Sequence, residues 1–180
     1  MVHEHDQESI ARQTMEKMNK PTMKMNANDC IQMLGKTSDD PAVNAFLASV
    51  GFTKPLKIPR DDFHAYVSIK KLGLEITFID EAHLREKARN YDEGSLVLIN
   101  IRFYSGRRSA FKPFRGELPH GLQFDFGLKE CVKKLGKPAW EGEEVSNVLW
   151  DIKGHSVYVS FDNDYKIIYT ISLQLAKLYS

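Results

Sequence analysis

The sequence predicts an α+β protein built as a tandem duplication, each copy a helix followed by a three-stranded antiparallel meander, with the helices packed on one sheet face. Two observations carry this. The octapeptide Asp29-Cys30-Ile31-Gln32-Met33-Leu34-Gly35-Lys36 returns as Glu130-Cys131-Val132-Lys133-Lys134-Leu135-Gly136-Lys137, with four positions identical and two more conservative. A turn-rich stretch and three strand-like runs follow each copy in the same order. The chain divides accordingly into a polar helical extension (1–22), a first repeat (23–115) and a second (116–180), the two repeats forming one compact unit.

Residues 7–19 are polar and good helix formers, with Ile10, Met15 and Met18 sparsely spaced, and Pro21 ends that run. The first repeat opens with a short helix over 27–34, where Cys30, Ile31 and Leu34 share a face and Gly35 supplies a left-handed cap. Its counterpart over 128–135 uses Leu128, Cys131, Val132 and Leu135. Gly136 caps this second helix, and Pro138 prevents its continuation.

Between helix and strands the copies differ. Asp39-Asp40-Pro41 marks a helix start, with an acidic cap and proline at the first helical position. Val43, Phe46, Leu47 and Val50 then recur at helical spacing, and Gly51 closes the element. In the second copy the matching stretch, Glu141-Gly142-Glu143-Glu144, reads only as an acidic loop.

The strands are expected at 65–70, 74–80 and 96–104 in the first copy, with the hairpin turn at Lys71-Leu72-Gly73 and a helix-prone connection over 81–90. The second copy places them at 148–153, 156–161 and 166–175, turning at Lys153-Gly154-His155 and at 162–165. Tight hairpins after a helix imply antiparallel sheets with helices on one side.

Composition narrows the function classes. With 25 basic and 24 acidic residues among 180, the net charge is +1, which gives no global attraction to nucleic acid or anionic membrane. No run reaches the roughly 20 apolar residues that span a bilayer. The charged first twenty residues do not form a secretory signal, so the reading is a cytoplasmic protein. In that compartment Cys30 and Cys131 are expected as reduced thiols in the core.

No catalytic, cofactor or metal site emerges. His3 and His5 lack zinc-ligand spacing, and no further Cys or His pair completes a structural site. His64, His83, His120 and His155 fall in loops or at strand starts without a nucleophile or carboxylate at a recognisable spacing. Asp162, Asn163 and Asp164 suit a hairpin turn better than a calcium loop, since the glycine and distant glutamate of that loop are missing. The chain is therefore read as a non-enzyme with no cofactor and no small-molecule substrate.

Two charge patterns remain. From Arg102 to Arg115, the basic Arg102, Arg107, Arg108, Lys112 and Arg115 interleave with Phe103, Tyr104, Phe111 and Phe114, a pattern that suits single-stranded nucleic acid. A strand end with solvated arginines explains the same residues. The second pattern is acidic: Asp39, Asp40, Asp61, Asp62, Glu141, Glu143 and Glu144 all lie in connections between helix and strands, and as a patch they would complement a basic protein.

The order Leu34-Gly35-Lys36-Thr37-Ser38-Asp39-Asp40-Pro41, Phe46-Leu47, Gly51, Phe78 and Ile99 to Phe103 continues into Phe114-Arg115-Gly116-Glu117-Leu118-Pro119-His120-Gly121-Leu122, then Leu135-Gly136-Lys137-Pro138 and Trp150. Over residues 27–175 this resembles immunity proteins encoded beside bacterial polymorphic and contact-dependent growth inhibition toxins. The resemblance implies an antitoxin of bacterial competition that binds one cognate toxin domain and blocks it, with no catalytic residues of its own. It also makes the segment around Gly116 to Leu122 a structural crossing between repeats. The rival reading is a nucleic-acid-binding module using 102–115. The two-unit architecture also resembles, in fold only, secreted inhibitors made of two helix-plus-sheet units.

Overall fold

The computed structural model describes residues 25–85, 90–142 and 144–176. The extension over 1–22, with His3 and His5, lies outside the described residues, as do Glu143 and part of the 81–90 connection. Three α-helices, α1 (Ala27–Cys30), α2 (Pro41–Ser49) and α3 (Leu128–Leu135), accompany seven strands. The strands are β1 (His64–Ile69), β2 (Leu74–Asp80), β3 (Leu96–Tyr104), β4 (Trp140–Glu141), β5 (Asn147–Ile152), β6 (His155–Phe161) and β7 (Ile168–Leu175). They form one antiparallel sheet in the order β1-β2-β3-β7-β6-β5-β4.

Local chemistry explains the helix ends. The Asp40 carboxylate accepts from the Ala42 N–H at 2.8 Å, and Pro41 follows at the first helical position. Asn26 caps α1 in the same way, through the N–H of Asn28. That helix then tightens into a 3₁₀ turn over Ile31–Met33. The α3 entry has only Gly127 as its cap, so Glu130 reaches back to accept from the Gly127 N–H at 3.0 Å.

Two expectations need correction. Val132 was expected on the buried face of α3, yet it is 37% exposed while Cys131 is wholly buried. An eight-residue helix lying against a sheet buries a narrow stripe, and Val132, one residue on from Cys131, falls outside it. The second correction is β4: the stretch expected to be only an acidic loop begins with a two-residue strand, Trp140–Glu141, pairing with Leu149 and Val148 of β5. Two residues are too few to show the alternation by which a strand is read.

β3 and β7 join the two meanders, pairing from Asn100 opposite Gln174 to Tyr104 opposite Thr170. β7 stops short of the first residues of β3, and the 35–38 segment takes over there. Gly35 donates to the Leu98 carbonyl at 2.8 Å, Leu98 to Lys36 at 2.9 Å, and Ser38 to Leu96 at 2.8 Å. The chain between the meanders crosses close to both. A Cβ on Gly73 would lie 2.3 Å from the Lys112 carbonyl oxygen, and one on Gly116 would lie 2.2 Å from that of Met25.

The side-chain period of two sorts the sheet into two unlike faces. On the inner face, one cross-strand row reads Val67, Ile76, Ile101, Leu173, Val157, Trp150. The next reads Ile69, Leu74, Phe103, Ile171, Val159, Val148. Cys30, Val43, Leu47 and Cys131 of the helices join these residues in one core. Both cysteines are free thiols, and burial, with the adjacent Asp29 or Glu130, pushes each up to about 12. Protonated at neutral pH, they act as small apolar residues.

Candidate protein-binding face

The opposite face carries none of the three helices, and its composition is of another kind. One row crosses all seven strands: Ser68, Glu75, Arg102, Ser172, Tyr158, Leu149, Trp140. Beside it run Tyr66, Thr77, Asn100, Gln174, Ser156, Asp151 on one side and Tyr104, Thr170, Ser160, Asn147 on the other.

These groups hold one another in place. Ser68 donates to Glu75 at 3.3 Å, and Tyr104 donates to the other Glu75 oxygen at 3.2 Å. Arg102 pairs with Glu75 at 3.5 Å and donates from Nε to the Ser172 hydroxyl at 3.1 Å. Desolvation raises the Tyr104 phenol, with the Glu75 charge adding to it and Arg102 opposing, so it remains a neutral donor. Ser156 donates to Asp151 at 2.8 Å. Ser172, Ser156, Gln174, Asn100 and Thr77 are all buried, and the Asn100 Oδ1 is buried without a partner. Trp140 remains 47% exposed at the far edge.

The basic-aromatic segment is largely engaged within the fold. Phe103 and Phe114 are buried and pack ring to ring at 4.8 Å. Tyr104 and Phe111 stack on each other at 3.8 Å, which occupies one face of each ring. Arg107 donates to the Phe124 carbonyl at 3.2 Å, and the Arg108 guanidinium lies 5.3 Å from the Tyr169 ring centre. Lys112 and Arg115 are exposed.

The acidic residues do not converge. Asp61 and Asp62 stand at the start of β1 on one sheet edge, whereas Glu141 and Glu144 flank β4 and β5 at the opposite edge and the opposite end. Six strand spacings of about 4.7 Å separate those edges, roughly 28 Å. Asp39 and Asp40 follow the segment paired with β3. Asp40 is used as a cap and by Lys36 at 3.2 Å, while Asp62 Oδ1 accepts from the N–H groups of Phe63 and His64. Backbone hydrogen bonds hold both carboxyls below the ordinary range. Asp39, Asp61, Glu141 and Glu144 are exposed.

One pairing escapes sequence reading altogether. His120, in the 3₁₀ turn Pro119–Gly121, meets His155 with the two Nε2 atoms 2.8 Å apart. The ring centres are 5.1 Å apart and the planes differ by 5°, so the imidazoles lie edge to edge in one plane, one donating to the other. His155 is 4% exposed and its Nδ1 is buried without a partner. Burial lowers both pKa values, and for His155 the His120 charge adds to it against the Lys153 backbone carbonyl. The residues are 35 positions apart, and no local pattern announces the contact.

A groove of about 1090 Å³ lies between α1, α2 and the 113–116 crossing, with Met33, Phe46, Val50, Leu72 and Phe114 in its lining. Cys30 is its one strongly perturbed titratable group, and it is shifted toward inertness. Among the described residues no cluster of three or more His, Cys, Asp or Glu is placed to hold a metal ion, and no helix is long and apolar enough to cross a membrane.

No family model and no curated protein matches this chain. Two solved structures are similar in fold. One is an extracellular protein containing an SCP domain from Bacillus anthracis str. Ames, at 11% identity and TM-score 0.49, covering 88% of this chain and 49% of that one. The other is a DUF4309 family protein (YjgB) from Bacillus subtilis subsp. subtilis str. 168, at 12% identity and TM-score 0.40, covering 73% and 76%. The chain thus spans about half the length of the first.

Proposed function

We propose that this is a cytoplasmic immunity protein that binds one cognate toxin domain through the helix-free sheet face and blocks it without chemistry of its own. The observation that carries the reading is the row from Ser68 to Trp140. Tyr, Trp and Arg are the residues in which binding energy concentrates, and hydrogen bonds already formed reduce the ordering cost of association. The exposed acids Asp39, Asp61, Glu141 and Glu144 would stand at the rim, where charge acts on encounter rate more than on lifetime.

The two repeats are read as copies of one ancestral unit. In support, Cys30 and Cys131 hold equivalent helical positions, and each copy runs helix and then three antiparallel strands. The last strands of the two meanders also pair with each other, so the sheet reads alike from either half. α2 and β4 are then additions to one copy each.

The test is co-expression with the toxin encoded beside this chain's gene, followed by titration of toxin activity. Saturating protein should abolish it at one-to-one stoichiometry. Trp140→Ala or Leu149→Ala should raise the off-rate while leaving the fold intact, and Asp61→Lys should mainly slow association. Full toxicity at saturating protein would defeat the reading.

A further inference from the structure

The two edges of the sheet are finished differently. At the β4 edge the outer strand is only two residues long and is preceded by Pro138, both devices that blunt an edge. β1 has neither. It is six residues long, runs in unbroken register against β2 from His64 to Ile69, and contains no proline, lysine or bulge. Every second residue of such a strand turns its N–H and C=O away from its neighbour. Among the described residues Ala65, Val67, Ser68 and Ile69 make no backbone hydrogen bond on that outer side. An edge of this kind is a template for another strand.

The charges flanking β1 say which strand fits. The run from 61 to 71 is Asp-Asp-Phe-His-Ala-Tyr-Val-Ser-Ile-Lys-Lys, two acids before the strand and two bases after it. Asp61, Lys70 and Lys71 are exposed, and the only described ion pair among them is Asp61 with Arg60 at 3.9 Å, both nearly fully exposed. All the described contacts of Asp62 use Oδ1, which leaves Oδ2 available.

We propose that β1 pairs antiparallel with β1 of a second copy of this chain about a twofold axis, joining two sheets edge to edge. With Tyr66 opposite its own symmetry mate, Asp62 stands across from Lys70 of the second copy and Asp61 across from its Lys71, each pair occurring twice. A twofold axis requires self-complementary surfaces, and acids at one end of the strand with bases at the other satisfy it. The same run laid in parallel would set like charges against each other. The helix-free faces of both copies remain uncovered, so this pairing is independent of toxin binding.

The test is sedimentation of the full chain over a range of concentrations and salt. The wild type should show a reversible monomer–dimer equilibrium that weakens as salt rises. Asp61→Lys and Lys71→Glu, both at exposed positions, should each weaken the dimer about tenfold, since each turns two cross-strand attractions into repulsions. The double variant D61K/K71E restores opposite charges across the axis and should regain the wild-type affinity. An equimolar mixture of the two single variants should form a heterodimer more readily than either forms a homodimer. A chain that stays monomeric at millimolar concentration overturns the proposal, and so does a dimer indifferent to both reversals.

Discussion

Mild acid should loosen this fold through the His120–His155 pair before the carboxylates titrate. The in-line contact needs one Nε2 carrying hydrogen and the other bare. It survives one added proton at most, because a second removes the only acceptor. Burial already opposes the first proton, and both folded pKa values lie below the ordinary 6.5. Below 6.5 the unfolded chain therefore binds more protons than the folded one. The pair's contribution is complete above that value and is lost as pH falls through it toward the lowered folded values. A buried hydrogen bond contributes about 1 kcal/mol net, and a buried polar atom left without its partner costs about 1–3 kcal/mol. His120→Ala orphans His155 Nε2 beside an Nδ1 that already lacks a partner, so the expected loss is about 1–3 kcal/mol. For a chain of this size that is roughly 2–4 °C of melting temperature per kcal/mol. Urea unfolding between about pH 5.5 and 7.5 isolates the effect, since Asp and Glu titrate lower. The double variant His120→Phe/His155→Phe should flatten the slope of stability against pH in that window. A slope equal to the wild type's would refute the assignment of acid sensitivity to this pair.

The remaining expectations are read in the same way. Gly73→Ala should destabilise far more than Gly154→Ala: both glycines have positive φ, but a Cβ at 73 meets the Lys112 carbonyl at 2.3 Å while one at 154 meets nothing, and paired thermal melts compare them. Trp150→Ala removes a ring that is 1% exposed and orphans the Gly136 carbonyl it donates to at 2.9 Å, so denaturant titration should show a loss of about 3–5 kcal/mol. Cys30 and Cys131 should resist thiol reagents in native buffer and react after unfolding; rapid native labelling of both would contradict their place in the core.

The sequence by itself determined whatever depends on neighbours within a few positions. The Asp40-Pro41 start, the 128–135 helix and the β2 and β3 limits of 74–80 and 96–104 were legible because caps, helical spacing and alternation act over one or two turns of chain. The paired octapeptides likewise led to two helices holding buried cysteines at matching positions. Tertiary structure alone decided what pairs at a distance. β3 against β7 joins residues some seventy positions apart, and nothing local distinguishes that register from others; it is selected because it aligns Ile101 with Leu173 and Phe103 with Ile171 on the face the helices cover. The same alignment sends Arg102, Ser172 and Tyr158 to the other face in one row, and it places β1 at an edge with its charges exposed. His120 meets His155 only once the crossing between repeats is laid against β6, and Trp140 forms a strand only because β5 is already there to pair with it. Sequence patterns state which residues seek burial, but partnership among buried or paired groups is a property of the whole packed sheet.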